Sequence, residues 1–97
     1  MKYGYRFSDW GIFFIDEILE TQTLDHDILW ASGEVRYKAD EWCYVRTVEP
    51  IFIVPKLVNG KYKYEHSNVG VYFKKHIFET REQAENYGKE NSQSPLR

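Results

Sequence analysis

Long hydrophobic runs are missing from this chain. Its apolar stretches, such as Ile12–Ile15 and Ile51–Val54, stop at four residues, whereas a membrane-spanning helix needs about 18. Cysteine is nearly absent too. Cys43 alone closes no internal disulfide, which fits a reducing compartment. The opening Met1-Lys2-Tyr3-Gly4-Tyr5-Arg6 lacks the apolar core of a secretory signal, so the expected location is the cytoplasm. The six glycines are scattered and build neither a Walker loop nor a dinucleotide fingerprint. A basic excess is lacking as well: the formal net charge is −2. No repeat or low-complexity segment occurs.

What the chain does have is aromatics. Eight Tyr, six Phe and three Trp stand among 97 residues, more than one small core of a single domain needs. Charge is divided as well. Residues 1–50 carry five Lys or Arg against ten Asp or Glu, and residues 51–97 carry eight against five. Opposite fields of this kind suit a surface that meets a charged partner.

Local patterns predict an α+β domain over residues 1–90 with a flexible tail over 91–97. Tyr3, Tyr5 and Phe7 alternate as in a short strand. Ser8 is then a candidate N-cap, with Asp9 beside the helix dipole. Phe14, Ile15, Ile18, Leu19 and Gln22 fall on one helical face from there, and Asp16, Glu17 and Glu20 on the other. This predicts an N-terminal helix, although Gly11-Ile12-Phe13-Phe14-Ile15 is strand-prone by composition. An antiparallel sheet of about five strands is expected from residues 28–37, 42–48, 51–58, 61–66 and 69–77, with 51–54 buried on both sides as a central strand. Asn59-Gly60 predicts a type I′ hairpin turn. Thr80-Arg81-Glu82-Gln83 is a capping-box pattern that predicts a helix over 80–89, stopped by Gly88.

Reactive constellations are thin. Asp25-His26-Asp27 is the densest cluster of ligand-type side chains, but its spacing matches no zinc or calcium signature and reads as a solvated turn. Cys43 sits between Trp42 and Tyr44 in a strand pattern, where cysteine acts as a small apolar residue. No serine has a nucleophile-elbow context, and the acid pairs Asp16-Glu17 and Asp40-Glu41 read as exposed faces. No catalytic residue, metal or cofactor is expected, and a small enzyme of unknown chemistry ranks third among the functional readings.

Binding ranks first. Tyr and Trp dominate interface hot spots because they deliver area at low conformational cost. The expected activity is stoichiometric occupation of a protein partner by a small inhibitor or adaptor, in the style of compact bacteriophage proteins that block host machinery. The candidate contacts are Tyr5, Trp10, Asp16, Glu17 and Glu20 in the first half, with a second copy of the chain as a further candidate partner. Single-stranded nucleic acid, RNA above all, is the alternative. Lys61 and Lys63 alternate with Tyr62 and Tyr64, and Tyr72 and Lys74 share a face on the next strand, the mix that a sheet-type binder uses. The run Val69-Gly70-Val71-Tyr72-Phe73, with Ile77 through Ala84, resembles the third strand and second helix of an RNA recognition motif over about a sixth of the chain. It departs from that family in carrying extra lysines and in having only residues 89–97 left for a fourth strand.

Overall fold

The computed structural model describes residues 1–8 and 10–91. Of the tail expected over 91–97, residues 92–97 lie outside them, as does the expected dipole role of Asp9, while Asn91 is the last residue of a helix. Strand β1 (Lys2–Phe7) runs antiparallel to β2 (Phe13–Thr23), with Tyr5 opposite Ile15 and Gly4 opposite Asp16. The turn between them is tied by the Ser8 amide and hydroxyl, which both donate to the Ile12 carbonyl at 2.9 Å. Gly11, at φ 80°, supplies its left-handed residue. Ser8 thus closes a hairpin, and the N-terminal helix expected here is a strand. The reason is local: β2 carries a bulge between Ile18 and Glu20. Alternation puts Asp16 and Ile18 inward, and the extra residue moves the next inward position to Thr21. A strand with such a skip imitates the spacing of a helix.

Beyond β2 the chain makes a small two-stranded hairpin, β3 (Ile28–Leu29) with β4 (Val35–Tyr37). The single strand expected over 28–37 is broken there because Gly33, at φ 94°, donates back to the Trp30 carbonyl at 2.9 Å. Strand β5 (Trp42–Thr47) returns along β2, and β8 (Val69–Phe73) pairs with β5. One 310 turn, Lys74–His76, interrupts the strand expected over 69–77 and leads to β9 (Ile77–Phe78), which pairs with β1. The sheet order is β8-β5-β2-β1-β9, antiparallel throughout.

The C-terminal helix α1 (Arg81–Asn91) starts at the capping box. The Gln83 amide donates to the Thr80 hydroxyl and the Thr80 amide to the Gln83 side chain, both at 3.1 Å. Gly88 does not stop the helix. It is buried inside it, where a Cβ would lie 2.5 Å from the Phe13 ring, so glycine here permits close helix–sheet packing. The domain is therefore a small α+β one with a single helix among the described residues. No helix among them is long and apolar enough to cross a membrane.

The sheet is strongly coiled. Its two edge strands, β8 and β9, are joined by only the three residues of the 310 turn. Tyr72 on β8 reaches across to β1, where its ring would stand 2.5 Å from a Cβ on Gly4. Ile18, Cys43, Val45 and Tyr72 form the core on this concave side, sealed by Ile51, Phe52 and Ile77. On the other side α1 packs against β1, β2 and β9, with Tyr87 edge-on to Tyr5 at 5.0 Å.

Candidate binding surface

Strands β6 (Phe52–Val58) and β7 (Lys61–Ser67) form a separate two-stranded arm, inserted between β5 and β8. Asn59 and Gly60, at φ 52° and 77°, make the two-residue turn at its tip. At its base Asn68 bridges the two ends, its amide group donating to the carbonyls of Thr47 and Val48 at 3.0 Å. The arm packs extensively on itself and at most glancingly on other elements. It lengthens the molecule to 47 × 29 × 27 Å, with a radius of gyration of 15.1 Å, against roughly 13 Å for a compact domain of this size. The expectation that residues 51–54 form a central strand buried on both sides is overturned, since Ile53 and Val54 are exposed. Pro55 fits this placement, because each strand of a two-stranded ribbon has an outer edge where its missing N–H costs nothing.

Register determines what each face of the arm presents. Ile53, Pro55 and Leu57 stand opposite His66, Tyr64 and Tyr62, so these six share a face. That face is bare: Ile53 is 63% exposed, Leu57 62%, Tyr62 71% and Tyr64 73%. The two tyrosines alone leave roughly 300 Å² in water. With the aliphatics added, the patch sits in the upper part of the roughly 300–600 Å² that a monomer's largest patch covers. The opposite face holds Lys56, Lys61, Lys63 and Glu65, with Lys56 directly across from Lys63 and 3.7 Å from Glu65.

The other sequence-selected residues are scattered. Trp10 projects from the β1–β2 turn and is 88% exposed, with Phe7, Ile12 and Phe14 also exposed near it. Tyr5 and Tyr72 are buried. Asp16, Glu17 and Glu20 do not form one acidic face, because they lie on a bulged strand. Asp16 is buried, its Oδ2 accepting from Arg6 Nε and the Tyr72 hydroxyl at 2.9 Å and its Oδ1 from Arg6 Nη2 at 3.0 Å. The hydrogen bond from Arg6 to Asp16 raises the guanidinium pKa further. Burial, and then the neighbouring Asp16 charge, pushes the Tyr72 phenol well above its usual range. With both carboxylate oxygens engaged, Asp16 ties β1, β2 and β8 together. Glu17 turns to the opposite face, 3.9 Å from Arg81 of α1, and Glu20 pairs with Arg46 at 2.6 Å. Lys74 is exposed on the 310 turn.

Asp25 and His26 bond to each other at 2.6 Å, while Asp27 accepts from the Ala39 amide at 2.7 Å. No group of three or more His, Cys, Asp or Glu side chains is gathered for a metal among the described residues. Cys43 is buried and free.

Many of the aromatics pack in one connected chain of rings. It runs from Phe13 through Tyr5 to His76, Phe73, Trp42 and Tyr37, each step between 4.7 and 6.0 Å. Part of this chain walls an open groove of about 520 Å³ between β1 and β8, lined also by Phe52 from the base of the arm. The sequence reading missed Ile53 and Leu57, yet a signal was present. A two-residue turn at Asn59-Gly60 fixes the pairing of Leu57 with Tyr62, and hence the apolar face.

No protein-family model matches the chain, and no curated protein or solved structure matches it either.

Proposed function

We propose that this protein is a non-catalytic binding module that acts by stoichiometric occupation of a protein partner, in the cytoplasm, with the β6–β7 arm as its principal contact. One observation carries this reading: the arm offers Ile53, Leu57, Tyr62 and Tyr64 on a single face, each more than 60% exposed. A two-stranded hairpin without a covering layer is marginally stable in water, so an apolar arm of this length gains most when another surface covers it. The tyrosines supply rigid amphipathic area suited to a hot spot, and the lysines on the reverse face keep the uncovered arm hydrated. Trp10 at the β1–β2 turn is a second, smaller contact.

The test is capture of partners from the native host by the wild-type chain and by a variant carrying Ile53→Thr, Leu57→Thr, Tyr62→Thr and Tyr64→Thr, followed by mass spectrometry. A partner should be retained by the wild type and by Lys61→Ala/Lys63→Ala, and lost by the fourfold arm variant. Equal recovery on both arm variants, or turnover of a metabolite by the purified chain, overturns the reading.

A second reading is favoured by the reverse face of the arm, where Lys56, Lys61 and Lys63 share the single Glu65 carboxylate, 3.7 Å from Lys56, and Lys56 stands directly across from Lys63, so that a further anion would balance the remaining positive charge. It makes the arm a single-stranded RNA or DNA binder. Against it, Tyr62 and Tyr64 leave the ribbon on the face opposite the lysines, so one strand cannot stack on the rings and meet those ammonium groups from the same side. Salt-sensitive oligonucleotide binding that Lys→Ala at 56, 61 and 63 abolishes would establish it.

A further inference from the structure

We infer that the groove between β1 and β8 is a second recognition site, independent of the arm, which takes one extended segment of a partner protein as an added β-strand. The lining shows this. Tyr5, Arg6 and Phe7 from β1 and Val71, Tyr72 and Phe73 from β8 all border the groove. Successive strand residues point to opposite faces, so a cavity that touches three in a row on both strands lies at the strand edges and not on a face of the sheet. It is the slot where the coiled sheet stops short of closing. Strand β9 pairs with β1 only at Tyr3 and Gly4, so it ends before the groove begins.

Three properties of the slot select an extended chain as its occupant. First, β8 is an edge of the sheet: β5 pairs with one side, and no strand among the described residues pairs with the other. The backbone groups along such an edge are satisfied in register by another strand, about 4.8 Å away. Second, the edge is unguarded. Val69-Gly70-Val71-Tyr72-Phe73 contains no charge and no proline, the devices that normally blunt an exposed edge. Both arm strands carry them, as Pro55 and Lys56 on β6 and Lys61, Lys63 and Glu65 on β7. Third, the walls are mostly apolar on both sides of the strand plane, the polar exceptions being His76, packed between the Tyr5 and Phe73 rings, and Arg6, whose guanidinium is held by Asp16. Phe7, Phe73 and Trp42 stand on one side, and Phe52 and Tyr72 on the other. An occupant with apolar side chains at alternating positions is buried on its inner set, and its outer set also meets aromatic surface. A second copy offering its own β8 does not fit, because that strand brings its sheet with it and the slot is walled by β1.

The site can be tested with a random eight-residue peptide library displayed on filamentous phage and panned against the full chain. The recovered peptides should lack proline and alternate apolar residues. A synthetic copy of the most enriched one should protect from hydrogen exchange the Val71 and Phe73 amides, which point away from β5, while leaving residues 53–67 unchanged; the Val69 amide already donates to Ser67 Oγ at 3.1 Å. N-methylation of alternate peptide amides should lower affinity at least tenfold in one register and less than twofold in the other, because only one set faces β8. The fourfold arm variant should bind the peptide as the wild type does, which separates failure of this site from failure of the arm. The inference is overturned by no enrichment over an empty support, by peptides that protect the arm and not β8, or by insensitivity to N-methylation. Protection of Val71 and Phe73 that tracks dimer formation in sedimentation overturns it as well, since the occupant is then a second copy.

Discussion

Substituting Gly4 by alanine tests the coiling of the sheet at its tightest point. An alanine Cβ at this position would lie 2.5 Å from Cζ and 2.6 Å from the hydroxyl oxygen of Tyr72. The tyrosine cannot swing aside cheaply, because its ring is buried and its hydroxyl donates to the buried Asp16 carboxylate at 2.9 Å. Forcing extra volume into a packed core costs about 1–3 kcal/mol. Losing a hydrogen bond to a charged group adds about 1.5–3 kcal/mol if the ring must withdraw. Replacing glycine within a strand returns about 0.5–1 kcal/mol. The net destabilisation of Gly4→Ala is therefore about 1.5–5.5 kcal/mol, a drop of roughly 6 °C or more in Tm at roughly 4–8 °C per kcal/mol for a domain of this size. Thermal denaturation followed by circular dichroism measures it. In a Tyr72→Leu background the offending ring atoms are gone, and the further cost of Gly4→Ala should fall below about 1 kcal/mol, a coupling that only residues in contact show. A Tm within about 2 °C of wild type for Gly4→Ala alone, or strict additivity with Tyr72→Leu, would refute the close approach of β8 to β1.

Gly60→Val places a β-branched residue at φ 77°, at a cost of about 1–3 kcal/mol. Because the arm packs mainly on itself, faster hydrogen exchange should appear at residues 52–67 while β2 and β5 keep their protection. Thr80→Ala removes the hydroxyl that accepts from the Gln83 amide and should cost about 1 kcal/mol, read as a lower Tm. His76, packed against the rings of Tyr5, Phe73 and Tyr87, has its pKa lowered by burial. Protons then bind the unfolded chain more readily than the folded one. Stability should be full above the ordinary histidine value of about 6.5 and decline as pH falls from there toward the lowered folded value. Urea titrations at pH 7.5 and 5 measure this, and His76→Phe should flatten the difference.

Legibility in the sequence followed the range of the interactions involved. The Asn59-Gly60 turn and the Thr80–Gln83 capping box were readable because each closes within four residues, and the observed φ values and hydrogen bonds agree. Alternation placed β1, β5 and β7 within a residue or so of their ends. Failures came where a local pattern had two solutions. The bulge at Ile18/Glu20 gave β2 a helix-like spacing, and hydrophobic Ile51–Val54 suited a buried strand as well as an arm awaiting a cover. The candidate site split in the same way. Tyr62, Tyr64, Lys61 and Lys63 were singled out from their alternation, whereas Asp16 and Tyr72, chosen as surface contacts, proved to be bonded to each other inside the domain.

Composition and short-range pattern determined by themselves that this chain is a small domain, rich in aromatics, with antiparallel hairpins and a capped C-terminal helix. Turn chemistry, capping and strand alternation act over a few residues and are written in the order of the side chains. Only the tertiary structure decided which aromatics are spent inside and which remain outside. That depends on how far the sheet coils and where the arm points. Both are set by contacts such as that of Tyr72 with Asp16, 56 residues apart in the chain. A tyrosine on a strand carries the same local preference whether it fills a core or waits for a partner. The difference lies in what the rest of the chain brings against it.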